Sequence, residues 1–140
     1  MYQVIYYSRS GNTRKVAEAI AGELGVRATG IASARVDPTA EVLFLGSGRY
    51  AGSPGVDMQR FIEANDFRGR KIAYFGTCWL HGLNKARDNE LSVKALEKKG
   101  AIILGDYRCK GKFLLFNPGR PNESDLDGAR KFARDIVKQA

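Results

Sequence analysis

The first stretch that could do chemistry is a loop of small polar side chains directly after an apolar segment. Residues 8–13 are Ser-Arg-Ser-Gly-Asn-Thr, and a helical pattern begins at their end. The first backbone amides of a helix lack partners within the helix, and the helix dipole adds partial positive charge there. Hydroxyl and amide side chains add donors, and Gly11 lets the backbone approach a ligand closely. The combination predicts a binding site for a phosphate group.

The loop does not match two common nucleotide-binding motifs. The chain has no GxxxxGK[ST] sequence, which excludes an ATP-type phosphate loop, and no GxGxxG sequence, which argues against a dinucleotide. A simpler interpretation is that Asn12 or Thr13 caps the helix while Ser10 and Gly11 form a turn. A cap needs one such residue rather than four, so the phosphate interpretation is favoured.

The elements that would position this loop alternate along the chain. Apolar runs of strand length occupy residues 2–7, 26–31, 42–45, 71–76 and 101–107, and Gly46 and Gly76 are predicted to close the third and fourth of them. Helical patterns occupy residues 13–24, a segment that begins at Pro54, and residues 88–99 and 123–138. Continuous apolar strands that alternate with amphipathic helices predict a parallel sheet with helices on both faces. Ligands of such sheets bind at the carboxyl ends of the strands, where the loop 8–13 lies.

Details of the helices are also predicted. Gly25 should end the first helix, and Asn122 or Ser124 should cap the last one. In the third helix, Leu91 and Leu96 are expected to point inward.

The chain is expected to form one domain over residues 1–140, with no internal repeat or low-complexity segment. Only residues 32–41 join the second and third strands, so this crossover should be short, such as a single helical turn. No run of about 18 apolar residues is present, which argues against a membrane span. The chain opens on a strand-like segment, so a secretory signal is not expected and the cytoplasm is the expected location.

The chain is strongly basic. Lys and Arg outnumber Asp and Glu by 23 to 15, which gives a net charge of +8 and favours anionic partners. The charge is dispersed, so a nucleic-acid-binding tail is not expected. Cys78 and Cys109 form neither a CxxC motif nor a zinc-ligand set, and a single histidine, His81, excludes a His-rich metal site. No metal is expected.

The two cysteines follow strands that should be neighbours. Adjacent strands lie about 4.8 Å apart, within reach of a disulfide. Buried thiols are nevertheless expected for Cys78 and Cys109 in a reducing cytoplasm, with a redox-active pair as the alternative.

Several segments together resemble a known family. Residues 8–13 resemble the loop with which flavodoxins hold the phosphate of FMN. The segments GSGRYAG (46–52) and FGTCWLHG (75–82) resemble the two loops that flank the flavin ring, and residues 119–136 resemble the tail of short flavodoxin-family proteins. The resemblance covers the whole chain. It implies an α/β fold of the flavodoxin type: a three-layer α/β/α sandwich whose five-stranded parallel sheet has the order 2-1-3-4-5.

The resemblance further implies one FMN, bound non-covalently. It assigns the cofactor contacts to Ser8, Arg9, Ser10, Gly11, Asn12, Thr13, Ser47, Arg49, Tyr50, Ala51, Gly52, Thr77, Cys78, Trp79, His81 and Gly82. Tyr50 and Trp79 are the candidate walls of the flavin ring, with Cys78 or Leu80 as alternatives to Trp79. The Ala51–Gly52 peptide matches the one that flavodoxins turn toward the flavin, because glycine makes such a turn easy. No catalytic side chain is expected.

Two features depart from the family or extend it. The sequence places basic residues in or beside the ligand loops, where many flavodoxins are acidic: Arg9, Arg49, Lys85, Arg87, Arg108, Lys110 and Lys112. This basic rim predicts redox partners with acidic docking surfaces. The apolar segment 113–116 is expected to form an extra buried strand, a lid over the flavin or a dimer contact, in that order.

The predicted function is electron transfer between redox partner proteins by a monomer or weak homodimer, without nucleic acid and without membrane insertion. One alternative is an FMN-dependent NAD(P)H reductase for quinones or similar acceptors. The other is a binding module that has the fold without the flavin, since fold alone does not fix function. A receiver-type module is disfavoured because residues 2–8 hold no acidic cluster.

Overall fold

The computed structural model describes residues 1–50, 53–54, 56–78, 90–111 and 119–140. The strands within these ranges are β1 (Tyr2–Tyr7), β2 (Ala28–Gly30), β3 (Val42–Tyr50), β4 (Ser53–Pro54), β5 (Lys71–Cys78) and β6 (Ile102–Lys110). The helices are α1 (Asn12–Leu24), α2 (Val56–Ala64), α3 (Glu90–Lys98) and α4 (Glu123–Gln139).

The long strands form one parallel sheet with the order β2-β1-β3-β5-β6. The two-residue strand β4 lies off this path and pairs antiparallel with the end of β3. When β4 is left out and the five parallel strands are numbered in chain order, the sheet has the order 2-1-3-4-5. The predicted sheet is confirmed. The chain runs outward from β1 to β2 in one direction and from β1 to β3 in the other. The strand order therefore reverses between β1 and β3.

Helices cover both faces of the sheet, as the continuous apolar strands predict. Neighbouring residues of a strand point to opposite faces. Val4 accordingly packs with α1 and α4 on one face, and Ile5 packs with α2 and α3 on the other. The sheet is thus the middle layer of three, and the loops that follow the strands lie at its carboxyl edge.

The termini of α1 and α4 follow local sequence rules. Gly25 ends α1 in the left-handed conformation, with φ of 70°, and its backbone N–H returns to the carbonyls of Ala21 and Gly22. Asn122 caps α4 and forms a reciprocal capping box with Asp125. Of the two predicted caps, Asn122 is therefore the one used.

The crossover between β2 and β3 is made of turns, without the helical turn that the sequence allowed. The Gln3 side chain donates from Nε2 to the Arg35 carbonyl at 2.6 Å and accepts the Asp37 N–H at 2.9 Å. Arg70 donates to the carbonyls of Asp37 and Pro38 at 2.7 and 2.8 Å. The side chains of Gln3, in β1, and of Arg70, just before β5, therefore hold the crossover against the sheet.

Two predicted strand ends were wrong. Gly46 and Gly76 do not close their strands, because β3 continues to Tyr50 and β5 to Cys78. Gly46 is needed for packing instead, because a Cβ there would lie 2.2 Å from the ring of Phe75. Glycine inside a strand can mark close approach as well as a strand end.

Two helix predictions also need correction. Pro54 does not open the second helix but lies in β4 opposite Arg49, and α2 begins at Val56. Leu91 is 55% exposed, whereas Leu96 is buried. Five positions along a helix amount to a rotation of about 140°, so these two leucines cannot share a face. The second inward position is Ser92, whose hydroxyl accepts from Tyr74 at 2.9 Å.

Within the described residues, no helix is long and apolar enough to cross a membrane.

Candidate functional site

Sheet register brings the sequence-predicted segments to one edge. Tyr7 pairs with Ser47, and Gly48 pairs with Thr77. Ser8 follows Tyr7 directly, so the loop 8–13 leaves the sheet beside the ends of β3 and β5. The described parts of the three predicted ligand segments, residues 8–13, 46–50 and 75–78, therefore lie at the same edge of the sheet, and the first two flank the point where the strand order reverses.

Gly11 shapes the loop. Its φ of 92° lies in the left-handed region, and a Cβ built there would meet no atom of the described residues within 4 Å. The Gly11 N–H donates to Ser8 Oγ at 3.0 Å, and Asn12 Nδ2 donates to Ser10 Oγ at 3.2 Å. The polar side chains of the loop thus bond to one another and to the loop backbone, and no other described residue crowds Gly11.

Helix α1 begins without a side-chain cap. Its N-cap residue is Gly11, which has no side chain to accept from the first amides of the helix, and its first turn has no acidic residue. Helix α4 differs, with the Asn122 cap and with Glu123 and Asp125 in its first turn. The prediction that Asn12 or Thr13 caps the helix is therefore wrong, because both residues lie inside α1. The positive end of α1 is directed at the loop, which suits an anion.

A buried hydroxyl pair lies under the loop. Thr13 Oγ1 and Thr77 Oγ1 are 2.8 Å apart, and either can be the donor. Thr13 is 1% exposed and Thr77 is 6% exposed. This contact joins the start of α1 to the end of β5.

Gly111 contacts the loop from a third side, which sequence patterns did not indicate. A Cβ at Gly111 would lie 2.8 Å from Asn12 Nδ2, and its backbone N–H donates to the Cys78 carbonyl at 3.3 Å. The residue follows β6 directly and is buried. The sequence signals this position only by the residue type, glycine. The contact with Asn12 depends on the fold.

Ser47 and Cys78 are buried at the same edge. The Ser47 hydroxyl donates to the Gly48 carbonyl at 2.9 Å, so its proton is used within β3. The Cys78 side chain is 6% exposed. These two residues form part of the edge, and both side chains are buried.

The cysteines are buried thiols rather than a disulfide, as the favoured prediction held. Cys109 pairs with Thr77, whereas Cys78 pairs with Lys110. Since neighbouring strand residues alternate between faces, Cys78 and Cys109 point to opposite sides of the sheet. Burial raises the pKa of the Cys109 thiol to about 12, and the carboxylate of Asp125 adds to the shift. The alternative of a redox-active pair is therefore wrong.

Part of the basic rim is described. Arg9 is exposed, and Arg108 and Lys110 are half-buried near the end of β6. Close by, burial and a hydrogen bond to Asp57 raise the pKa of Tyr7, while the charge of Arg9 opposes them. Arg9 therefore brings positive charge to the side of the loop that faces α2.

The structure describes the other predicted site residues only in part or not at all. Arg49 and Tyr50 end β3, but only their backbone is described. Outside the described residues lie the flavin-ring candidates Ala51, Gly52, Trp79, Leu80, His81 and Gly82, the basic residues Lys85, Arg87 and Lys112, and the segment 113–116.

Comparison with known proteins agrees with this geometry. Residues 3–114 match the family model of the flavodoxin domain. The chain belongs to the flavodoxin domain family. Flavodoxins are themselves a known example of the rule that ligands bind where the strand order reverses.

Individual relatives extend over the whole chain. An uncharacterized protein of Methanocaldococcus jannaschii is 32% identical over 148 residues, covering 99% of this chain and 96% of its own length. A flavodoxin from the domain Archaea has a TM-score of 0.77 at 22% identity, with 99% and 96% of the two chains covered. Oxidised flavodoxin 1 from Bacillus cereus has a TM-score of 0.76 at 20% identity, with 100% and 99% covered. These structures are similar to this chain in fold.

Proposed function

We propose that this protein binds one FMN non-covalently and carries electrons between redox partner proteins. The observation that carries the proposal is the uncapped N-terminus of α1, which faces the loop 8–13 where the strand order reverses. Membership of the flavodoxin domain family supports a flavin as the ligand.

The loop suits the phosphate group of FMN. It offers hydroxyl groups from Ser8 and Ser10, the Asn12 amide, and the backbone amides at the start of α1. The first turn of α1 has no acidic side chain to repel a dianion, and Arg9 adds positive charge beside the loop. No described residue lies within 4 Å of a Cβ at Gly11, which leaves room for the ligand on that side.

The ring would lie between the ends of β3 and β5. Tyr50 and Trp79 are the proposed walls, and the Ala51–Gly52 peptide is the proposed backbone contact. The other proposed contacts are Ser47, Arg49, Thr77, Cys78, His81 and Gly82. Because the side chains of Ser47 and Cys78 are buried, these two would contribute through their backbone.

When bound, FMN supplies the redox chemistry, and the protein supplies binding, orientation and electrostatics. No side chain of this protein has to act as acid, base or nucleophile for that role. The basic rim favours partners with acidic docking surfaces. Docking should weaken as the ionic strength rises, because exposed charges more than about 10 Å apart are largely screened at 0.1 M salt.

The carrier role is tested by anaerobic reduction of the FMN-loaded protein. We expect the absorbance of the flavin to bleach with a chemical reductant and to recover with a one-electron acceptor protein. NADPH without a partner protein should leave the absorbance unchanged. Steady oxidation of NADPH by the isolated protein would contradict the carrier role and favour a reductase.

A further inference from the structure

Two threonine hydroxyl groups meet beneath the loop 8–13. Thr13 Oγ1, in the first turn of α1, lies 2.8 Å from Thr77 Oγ1, near the end of β5. The two residues are 64 positions apart in the chain, and both side chains are buried. This bond joins β5, within the predicted flavin segment 75–82, to the end of the phosphate loop.

The direction of the bond decides what Thr13 can offer to a ligand. A threonine hydroxyl carries one proton and two acceptor lone pairs. When Thr13 donates to Thr77, its oxygen presents only lone pairs, which repel an anion. When Thr77 donates, Thr13 keeps its proton for the loop, and accepting a bond makes it a stronger donor.

We propose that Thr77 is a positioning residue of the phosphate site: its hydroxyl donates to Thr13 Oγ1 and so directs the Thr13 proton to the phosphate group of FMN. The inference rests on the proposed function. It also narrows the role of Thr77, which acts through Thr13 rather than by contact with the flavin.

The fold holds both hydroxyl groups on rigid elements. Thr77 lies in an inner strand, where it pairs with Gly48 on one side and Cys109 on the other. Thr13 is in α1, whose residues Val16 and Ala17 are buried against the sheet. Water has little access to either hydroxyl, and hydrogen bonds are stronger where water does not compete. A side chain on such a scaffold can fix the orientation of its neighbour.

The test compares the affinities of the wild-type protein and Thr77→Val for FMN and for riboflavin, measured by flavin fluorescence. Valine keeps the shape of threonine and removes the hydroxyl. Riboflavin lacks the phosphate, so its binding reports every contact except the phosphate site. We expect Thr77→Val to lose about 2- to 4-fold in FMN affinity and to keep its riboflavin affinity, because Thr13 can still donate to the phosphate group but loses the bond that strengthens and orients its hydroxyl. Thr77→Ser should restore the wild-type ratio of the two affinities.

A double-mutant cycle tests whether Thr77 acts through Thr13. Thr13→Val should lower the same ratio, and adding Thr77→Val to it should change nothing further. Thr29→Val is the matched control, since Thr29 lies in a strand of the same sheet but pairs with Ile5, away from the loop. This control should leave the ratio unchanged.

Three results would overturn the positioning role while FMN binding itself stands: an unchanged FMN affinity in Thr77→Val, an equal loss for both flavins, or additive losses in the double variant. A wild-type protein that binds neither flavin would overturn the proposed function and this role with it. Circular dichroism checks that each variant folds. Should Thr77→Val not fold, Thr77→Ala is measured in its place with the same expected ratio.

Discussion

At the scale of single residues, Gly11 is the position on which the shape of the phosphate loop depends. Its φ of 92° is strained for any residue with a Cβ, although no described residue lies within 4 Å of a Cβ there. The loop therefore needs glycine for its backbone conformation rather than for lack of room.

Gly11→Ala is expected to destabilise the protein by about 1–2 kcal/mol and to weaken FMN binding about 5- to 10-fold, because the loop relaxes away from the left-handed conformation. Gly25→Ala is the matched control. Gly25 is at the other end of the same helix, with φ of 70° and likewise no described residue within 4 Å of a Cβ. It should lose similar stability without loss of FMN affinity. Thermal unfolding measures the loss of stability, and fluorescence titration measures the FMN affinity. Equal FMN affinities in both variants would contradict the role of the Gly11 conformation in FMN binding.

Cys109 gives a prediction about pH. Burial holds the pKa of its thiol at about 12, above its ordinary value of 9.0, so the folded state keeps a proton that the unfolded state releases. This stabilisation is complete below about pH 9 and is lost as the pH rises toward 12. The free energy of unfolding of the wild-type protein should therefore fall more steeply between pH 8 and pH 10.5 than that of Cys109→Ala. Parallel curves from urea denaturation would show that the thiol does not contribute.

At the scale of elements, the contacts that stabilise the opposite edge of the sheet do not involve the candidate site. Lys99 follows α3 and donates from Nζ to the carbonyls of Ile62, Glu63 and Asn65, at the end of α2. It satisfies carbonyls that the helix itself leaves without partners. Nothing in this contact involves the loop 8–13.

Lys99→Met is expected to lower the free energy of unfolding by about 1–3 kcal/mol, because carbonyls at the end of α2 lose a charged donor. FMN affinity should stay unchanged. Lys98→Met is the matched control, since Lys98 is an exposed neighbour in the last turn of α3. It should change stability by less than about 0.5 kcal/mol. Denaturant unfolding of the two variants measures the difference, and equal effects would contradict the capping role of Lys99.

Gly111 links β6 to the start of α1. In Gly111→Ala, the new methyl group would press on the Asn12 side chain, 2.8 Å from its Nδ2, and would displace the Asn12 bond to Ser10. FMN affinity should fall by a few fold while riboflavin affinity stays the same. Gly30→Ala is the control, because a Cβ there meets the Tyr6 ring at an ordinary 3.8 Å. An unchanged FMN affinity in Gly111→Ala would mean that the Asn12 orientation does not matter.

These elements also show what a sequence can predict. The helices α1 and α4 and the loop 8–13 were predicted because their information is local: periodic apolar residues, the Gly25 stop and the Asn122 cap. Gly46 and Pro54 were misinterpreted, since their roles depend on Phe75 and on the hairpin partner Arg49. The contact between Thr13 and Thr77 has no local pattern in the sequence and exists only because α1 packs across the sheet and reaches β5.

At the scale of the whole molecule, the net positive charge is unevenly distributed over the surface. On α1 and α4, basic and acidic side chains form mutual ion pairs, such as Arg14 with Glu18 and Arg134 with Glu23. Such exposed pairs contribute little to stability, but they neutralise that surface. The excess of +8 must then be carried by other surfaces, and the carboxyl edge of the sheet with Arg9, Arg108 and Lys110 is one of them.

The most direct test of the account is the titration of flavin-free protein with FMN, followed by flavin fluorescence. The account predicts quenching that saturates at one FMN per chain, with weaker binding of riboflavin because the phosphate contacts are missing. Absence of quenching at micromolar protein would contradict it. Equal affinities for FMN and riboflavin would show that the loop 8–13 does not bind the phosphate group.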